Sequence, residues 1–391
     1  MIYDVIIVGA GAAGLFCGSA FSDKAKGLIL EKTKRIGTKL LMSGSGQCNI
    51  THDGSIKDFI SCYGKNGGKI RSCLYQYNNN HLRKFLAENG VETFVRGDGK
   101  VFPKSLDAKE IRDMLVSKCH SNGFPIKTQC EVTGLSAHDE LWEVTTTAGN
   151  YTAKSVILAT GGCSYPTSGS DGSIFTMLAS DLDLDIVQPK PALSPLKVKD
   201  YPFAELSGIS FPYAQASIYH EGKRTSDNTG GLLLTHRDFS GPAVMNISKY
   251  GENSDTLMLN YLYPMKYEET FAKLKQAMNG SKESTANTLA KAFDLPKRFA
   301  SVMAERFGNS PKELAKALTS DTFTITSIGS FNQAMATAGG ISLKEINTKT
   351  MELKKHPNLY AIGEMLDIDG ITGGYNLQFA YSSAMAMIAN Y

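Results

Sequence analysis

Six residues near the start of the chain, Gly9 to Gly14, read G-A-G-A-A-G. They follow the continuous β-branched run Val5, Ile6, Ile7 and Val8 and precede a stretch of small residues. In that order a chain turns from a buried strand into a helix against a pyrophosphate. Gly9 permits the tight turn, Gly11 lets the backbone approach the phosphates, and Gly14 lets helix and strand pack closely. Ala12, Ala13 and Gly14 open the helix, whose free N–H groups and partial positive charge suit an anion. Glu31 stands 22 residues after Gly9, at the end of a second apolar run, G-L-I-L-E. A carboxylate there can accept both hydroxyls of an adenosine ribose, and its charge repels a 2′-phosphate.

Three further segments carry the same kind of chemistry. Gly37 to Thr51, G-T-K-L-L-M-S-G-S-G-Q-C-N-I-T, holds Ser43, Gly44, Ser45, Gly46 and Asn49 between the apolar anchors Leu40, Leu41, Met42 and Ile50. Read as a loop, it offers small donors and close backbone approach to a dinucleotide. Val156 to Gly162, V-I-L-A-T-G-G, is a strand whose end (Ala159, Thr160, Gly161) places backbone where the carboxyl ends of a parallel sheet converge. Leu359 to Asp367, L-Y-A-I-G-E-M-L-D, is followed by Gly370 to Gln378, G-I-T-G-G-Y-N-L-Q. Gly363 lets the chain pass close, Glu364 is a candidate ligand for a ribitol, and Gly373 to Asn376 can start a last helix facing a redox ring.

Taken together, these segments resemble flavoproteins of the two-dinucleotide-binding type. Their detail resembles the aminoacetone-oxidase-like family, also called BaiN-like or YhiN-like flavoproteins, over nearly the whole chain. The matching motifs are K-L-L-M-S-G-S-G-Q-C-N from Lys39, V-F-P-K-S from Val101, A-T-G-G-C-S-Y-P from Ala159, T-H-R-D-F-S-G-P from Thr235, T-A-G-G-I from Thr337 and D-G-I-T-G-G-Y-N-L-Q from Asp369. The resemblance implies non-covalent FAD and three domains, the second and third inserted into the first. The residues expected against FAD are Gly9, Gly11, Ala12, Ala13, Gly14, Glu31, Lys32 and Lys39, then Ser43, Gly44, Gly46, Asn49 and Val132. Ala159, Thr160, Gly161, Gly363, Glu364, Asp367, Gly374, Tyr375, Asn376 and Leu377 complete the set. Gln47 stands where the family usually has arginine, and Thr38 where arginine is frequent, so two cations are missing near the flavin or its substrate.

The resemblance implies a primary-amine oxidase that converts aminoacetone, O2 and water to methylglyoxal, ammonia and hydrogen peroxide. No second glycine-rich βαβ fingerprint occurs between Gln188 and Ser330, which modestly favours O2 over a nicotinamide nucleotide. The alternative is an NAD(P)H-dependent flavin reductase of a conjugated C=C bond, in a small enone or a uracil ring of RNA. A redox-sensing FAD module is a third class, with no positive support. Tyr375 and Asn376 are the side chains expected beside the isoalloxazine. His236 either acts on substrate or bridges two strands. Cys48 and Cys163 are read as small packing groups.

These residues need a scaffold. A chain of 391 residues exceeds one ordinary core, and the proline run after Gln188 (Pro189, Pro191, Pro195, Pro202) marks a departure from α/β patterning. The expected fold is α/β: a Rossmann-type FAD-binding domain (1–188 and 332–391), an inserted β-rich substrate domain (189–260 and 321–331) and an inserted helical domain (261–320). Short strands with turns at Glu221-Gly222 and Gly230-Gly231 are expected in the β part, and helices broken at Gly280, Pro296 and Asn309 to Pro311 in the helical part. Asn80 and Ser105 are read as helix caps. Residues Cys130 to Ala153 read as antiparallel strands leading into the strand Ser155 to Thr160.

Ten Lys or Arg face six Asp or Glu between Tyr261 and Ser320, a balance that fits RNA contact but more often marks a solvated face. Across the chain, Lys and Arg exceed Asp and Glu by only three. That is too mild to imply nucleic acid or a membrane without a local patch. Seven cysteines, an odd number without a C-x-x-C pair, point to reduced thiols in a cytoplasm and away from a disulfide framework. No Cys or His spacing suits a metal, no leader is legible, and Gly370 to Tyr391 reads as a buried loop and helix. The expected partners are the small-molecule amine and O2.

Overall fold

The computed structural model describes residues 1–21 and 25–391 and divides into two compact units, Met1–Lys190 with Ala336–Tyr391, and Pro191–Met335. The first is built on a sheet whose central strands run parallel. In order across the sheet they are Leu359–Ala361, Gly149–Leu158, Ile2–Val8, Gly27–Leu30 and Ile126–Lys127. Val5, Ile6, Ile7 and Ile157 have no solvent exposure, as expected of a parallel sheet buried on both faces. Two small antiparallel strands, Ile346–Asn347 and Glu352–Leu353, extend one edge. The hairpin Val132–His138 and Leu141–Thr146 pairs with the first half of Gly149–Leu158. What reads in sequence as a separate strand from Ser155 is therefore the second half of one ten-residue strand.

The first helix (Ala12–Ala20) packs against the last (Tyr375–Ile388), with Phe16 and Tyr381 meeting edge to face at 5.4 Å. Two caps differ from the sequence reading. Asn78, not Asn80, caps the helix Asn79–Glu88, its Oδ1 accepting from the N–H groups of Asn80 and His81. Asp107, not Ser105, caps Ala108–Ser121, while the Ser105 hydroxyl donates to Glu110. The segment after Gly37 is not an open loop: it forms a short helix, Thr38–Met42, and then a tight turn, Ser43–Gly46. Leu40 and Ile50 are buried as anchors, but Met42 is 46% exposed.

The second unit contains a closed six-stranded barrel. Its strands in order are Leu196–Val198, Phe239–Ser240, Lys223–Leu234, Ser210–His220, Thr256–Asn260 and Asp321–Ile328. Two of them are long, 11 and 12 residues, and join at the Glu221-Gly222 turn. Gly230 and Gly231 form no turn; they lie inside Lys223–Leu234, beside a register shift and under Pro242. Four helices, Tyr267–Met278, Thr285–Phe293, Lys297–Phe307 and Pro311–Ser320, follow the expected breaks. They share one apolar core with the barrel, in which Phe203, Phe211 and Tyr261 surround Phe299. The β and helical segments that read as two modules in sequence thus lie in one compact unit. Among the described residues, no helix is long and apolar enough to cross a membrane.

Candidate cofactor and substrate site

Three of the glycine-bearing motifs and the acid Glu31 leave the carboxyl ends of adjacent parallel strands: Gly9 after Val8, Glu31 after Leu30, Ala159 after Leu158, and Gly363 two residues past Ala361. Ligands bind at this edge of an open α/β sheet. A Cβ on Gly14 would stand 2.0 Å from the Gly9 carbonyl oxygen, and one on Gly9 would stand 2.6 Å from that of Ala159. Those two glycines are demanded by the protein itself. Gly11 is not: its backbone is extended, and a Cβ there would meet nothing nearer than 4.0 Å. The room in front of Gly11 suits a ligand. Gly11 caps the first helix with no side-chain bond, and no acidic residue stands in the first turn, so the helix end is free to receive phosphate. Gly363, in the left-handed region at φ +69°, brings its segment against Ala13. The buried Thr160 hydroxyl has no partner among the described residues. A dinucleotide fits this corner.

Glu31 is 7% exposed and accepts three bonds. Oε2 accepts from the Ala10 N–H at 2.9 Å, and Oε1 from the Thr33 N–H and hydroxyl at 2.8 and 2.7 Å. These donors aim the carboxylate and leave lone pairs for ribose hydroxyls. Lys32 is fully engaged, paired at 2.7 Å with both Glu131 and Asp171. Val132 begins the adjacent hairpin opposite Thr146.

Along the middle of the site, Glu364 is also engaged. Oε2 pairs with Lys39 Nζ at 2.6 Å and Oε1 accepts from the Thr337 N–H at 2.8 Å. Gly161, at φ +78°, lies beside that carboxylate. In the turn before Thr51, the Ser43 hydroxyl donates to the Leu40 carbonyl and Asn49 Nδ2 donates to those of Thr51 and Val101. Gly44 and Gly46 are left-handed, and a Cβ on Gly44 would strike the Asn49 nitrogen at 2.7 Å. This stretch presents backbone outward because its side chains hold the turn. Asp367 accepts from Asn66 Nδ2 at 2.9 Å.

At the start of the last helix, Gly374 (φ +93°) lies on the backbone of Thr51, where a Cβ would approach to 2.6 Å. Asn376 closes the preceding loop: Oδ1 accepts from the Gly370 N–H at 2.8 Å and Nδ2 donates to the Gly370 carbonyl at 2.9 Å. The geometry gives it a positioning task. Leu377 is partly exposed. Tyr375 is packed among rings, stacked on His52 (5.4 Å, 14° between planes) and edge-on to Phe59 and Tyr63. Its hydroxyl pairs with the Cys62 thiol, and the Tyr63 hydroxyl donates to its carbonyl at 2.8 Å. Burial pushes the Cys62 thiol up; burial, reinforced by Cys62, does the same to the Tyr375 hydroxyl.

His52, Cys62, Tyr63 and Gln378 were not legible in sequence. Fully buried Gln378 accepts from the Thr51 hydroxyl at 2.6 Å and donates to the Tyr77 carbonyl at 3.0 Å, tying together segments about 300 residues apart. His236 belongs to the second unit, on an exposed turn between Thr235 and Asp238.

Against known proteins, residues 3–390 match the model of the HI0933-like protein Rossmann domain. The chain is 32% identical to a ribosomal RNA dihydrouridine synthase of Haemophilus influenzae, covering 97% of this chain and 96% of that protein. It is 30% identical to the Escherichia coli protein of the same name, over 98% and 96%. It is 28% identical to a 3-dehydro-bile acid delta(4,6)-reductase of Clostridium scindens, over 96% of each. Among solved structures, the open conformation of a flavocytochrome c3 fumarate reductase aligns with a TM-score of 0.51 at 19% identity, over 99% of this chain and 77% of that one. At that identity the likeness is one of fold. A fingerprint, a buried acid 22 residues after its first glycine and a late glycine segment on one sheet edge agree with these matches: the chain belongs to the HI0933-like Rossmann family and is an FAD-dependent oxidoreductase.

Proposed function

We propose that this protein reduces a carbon–carbon double bond conjugated to a carbonyl, with a uracil ring in RNA as the substrate class. The observation that carries this reading is that three relatives, matched nearly end to end, bear names of reactions or products of that kind. Such a reduction delivers a hydride to the β-carbon and a proton to the α-carbon, consuming one NAD(P)H and one proton per bond. FAD held by the Gly9 to Gly14 turn and Glu31 would, when bound and reduced, supply the hydride. The chain's own side chains must supply the proton and hold the ring. The Tyr375–Cys62 pair suits the first task, because burial keeps both groups protonated through neutral pH. Asn376 fixes the loop that carries Tyr375 through its two bonds to Gly370.

Oxidation of aminoacetone is the second reading, favoured by the single dinucleotide fingerprint. An anaerobic half-reaction separates the two. The oxidised yellow protein is mixed with NADPH or with aminoacetone, and then with a uridine-rich RNA, a small enone or air. Bleaching by NADPH, recovery of colour on adding RNA, and an RNA product heavier by two hydrogens support the reductase. Bleaching by aminoacetone with recovery only in air sinks it. In the reductase, Tyr375→Phe lowers turnover while FAD content stays at the wild-type level.

A further inference from the structure

Away from the glycine motifs, the first unit carries an open cavity of about 450 Å³ lined by Gly68, Lys69, Arg71, Ser72, Tyr75, Thr348 and Lys349. One wall is the 3-10 helix Gly64–Ile70 running into the helix Arg71–Gln76, and the other is the turn between Ile346–Asn347 and Glu352–Leu353. No carboxylate lines it. Lys69, Arg71 and Lys349 are exposed, and none makes an ion pair among the described residues. Several cations elsewhere are engaged: Lys32 with two acids, Lys291 with Glu283, Arg306 with Asp321. Three unneutralised cations thus gather in one concavity of a chain whose whole formal charge is +3. Tyr75 stands 46% exposed in the same wall, with the Arg71 guanidinium 5.4 Å from its ring centre.

Cations that take phosphates beside an exposed aromatic face that takes a base are the two parts of a single-strand binding site. We infer that this cavity is a subsite for single-stranded RNA, with Lys69, Arg71 and Lys349 on successive phosphates and Tyr75 stacked on a base. The inference rests on the RNA reading above and names where that substrate is held. The wall connects directly to the reacting region. Asn66, three residues before Lys69 on the same 3-10 helix, is bonded to Asp367, and Cys62 and Tyr63, just before that helix, touch Tyr375. A strand held here has its neighbouring nucleotides beside the Tyr375 loop. An unpaired base suits this arrangement, because a uracil must leave any duplex before its ring can meet a flavin.

The test is fluorescence anisotropy of labelled oligouridylate with the FAD-loaded full chain, across a salt series. The variants are Lys69→Gln/Arg71→Gln/Lys349→Gln, Tyr75→Ala, and a control, Lys297→Gln/Lys312→Gln/Lys316→Gln, in the helices of the second unit. Each lost phosphate contact on a single strand lowers the slope of log affinity against log salt by roughly 0.7, so the triple variant should lose about 2. Tyr75→Ala should weaken binding about five- to a hundredfold. FAD content and melting temperature report that each variant is folded. An unchanged slope in the cavity triple, or an equal loss in the control, overturns the subsite. So does loss of NADPH binding alone, which would assign the cations to a nicotinamide nucleotide's phosphates. RNA held through this cavity with no dihydrouridine formed overturns the function reading and leaves the subsite standing. Dihydrouridine formed while the triple variant keeps its RNA affinity does the reverse.

Discussion

Gly363→Ala tests the convergence of the early and late motifs on one phosphate site. Gly363 is left-handed at φ +69°, and a Cβ added there would stand 2.7 Å from the Ala13 Cβ. The left-handed conformation alone costs a residue with a Cβ about 1–2 kcal/mol. Carbon atoms rest at about 3.5–4.0 Å, so the two segments must part by roughly 1 Å, an overpacking worth about 1–3 kcal/mol. The expected destabilisation is about 2–5 kcal/mol, read as a lower denaturant midpoint of the apo-protein. The parted segments also move the first-helix N–H groups off the pyrophosphate, so FAD should bind at least about tenfold more weakly, a loss of about 1.4 kcal/mol by fluorescence titration.

Ala13→Gly supplies the discriminating control. Alone it costs about 0.5–1 kcal/mol, the helix penalty of glycine. Combined with Gly363→Ala it removes the Cβ–Cβ conflict and leaves the backbone strain. The double variant should therefore be more stable than the sum of the singles by about 1–3 kcal/mol. Strict additivity, or a Gly363→Ala protein as stable and as yellow as wild type, would refute the reasoning.

Glu31→Gln puts an amide nitrogen where one carboxylate oxygen accepts from Ala10 or Thr33; the lost charge-assisted bonds should weaken FAD binding by about 1.5–3 kcal/mol, checked by calorimetry. In the second unit, Asp321 is 4% exposed, gripped by two nitrogens of Arg306 at 2.8 and 3.1 Å and by the Tyr261 hydroxyl at 3.0 Å. Arg306→Leu leaves that carboxylate buried without its cation and should cost about 3–5 kcal/mol, seen as a lower melting temperature, whereas adding Asp321→Asn should recover part of the loss. Burial pushes the thiols of Cys48 and Cys73 up to about 12. A raised acid favours the native state while protonated, so this stability is complete below about pH 8.5 and falls as pH rises toward 12, by about 1.4 kcal/mol per pH unit for each thiol. A denaturant midpoint that stays level between pH 8.5 and 10.5 would contradict that assignment.

The parts of the site legible in sequence are those whose demands are local. Gly14 is forced by the Gly9 carbonyl five residues before it, Gly9 opens the turn with its own positive φ of +108°, and the acid at Glu31 follows from the length of one βαβ unit. The helix breaks at Gly280, Pro296 and Pro311 are equally local. What could not be read depends on distant partners. Three consecutive asparagines offer equal caps on paper, but Asn79 donates to the carbonyls of His52 and Gly54, which leaves capping to Asn78. Gly230 looks like a turn until Pro242 packs over it within the strand. Cys62, Tyr63 and Gln378 meet Tyr375, Thr51 and Tyr77 across some 300 residues, and no spacing in one sequence announces that. Glu364 reads in sequence as a candidate ribitol ligand, and its pairing with Lys39, 325 residues earlier, is not announced by any spacing.

The cofactor unit is assembled from both ends of the chain, and this has a consequence for biogenesis. A ribosome finishes residues 191–335 before it makes residues 336–391, so the inserted barrel and helices can fold while their host is incomplete. Until Leu359–Ala361 emerges, the apolar strand Gly149–Leu158 lacks a neighbour along its last three residues, Val156–Leu158, an open sheet edge of the kind that invites aggregation. Gly363 and the last helix arrive later still. Flavin loading is thus a late event, and a nascent chain halted after residue 335 should need chaperone protection and remain colourless however much FAD surrounds it.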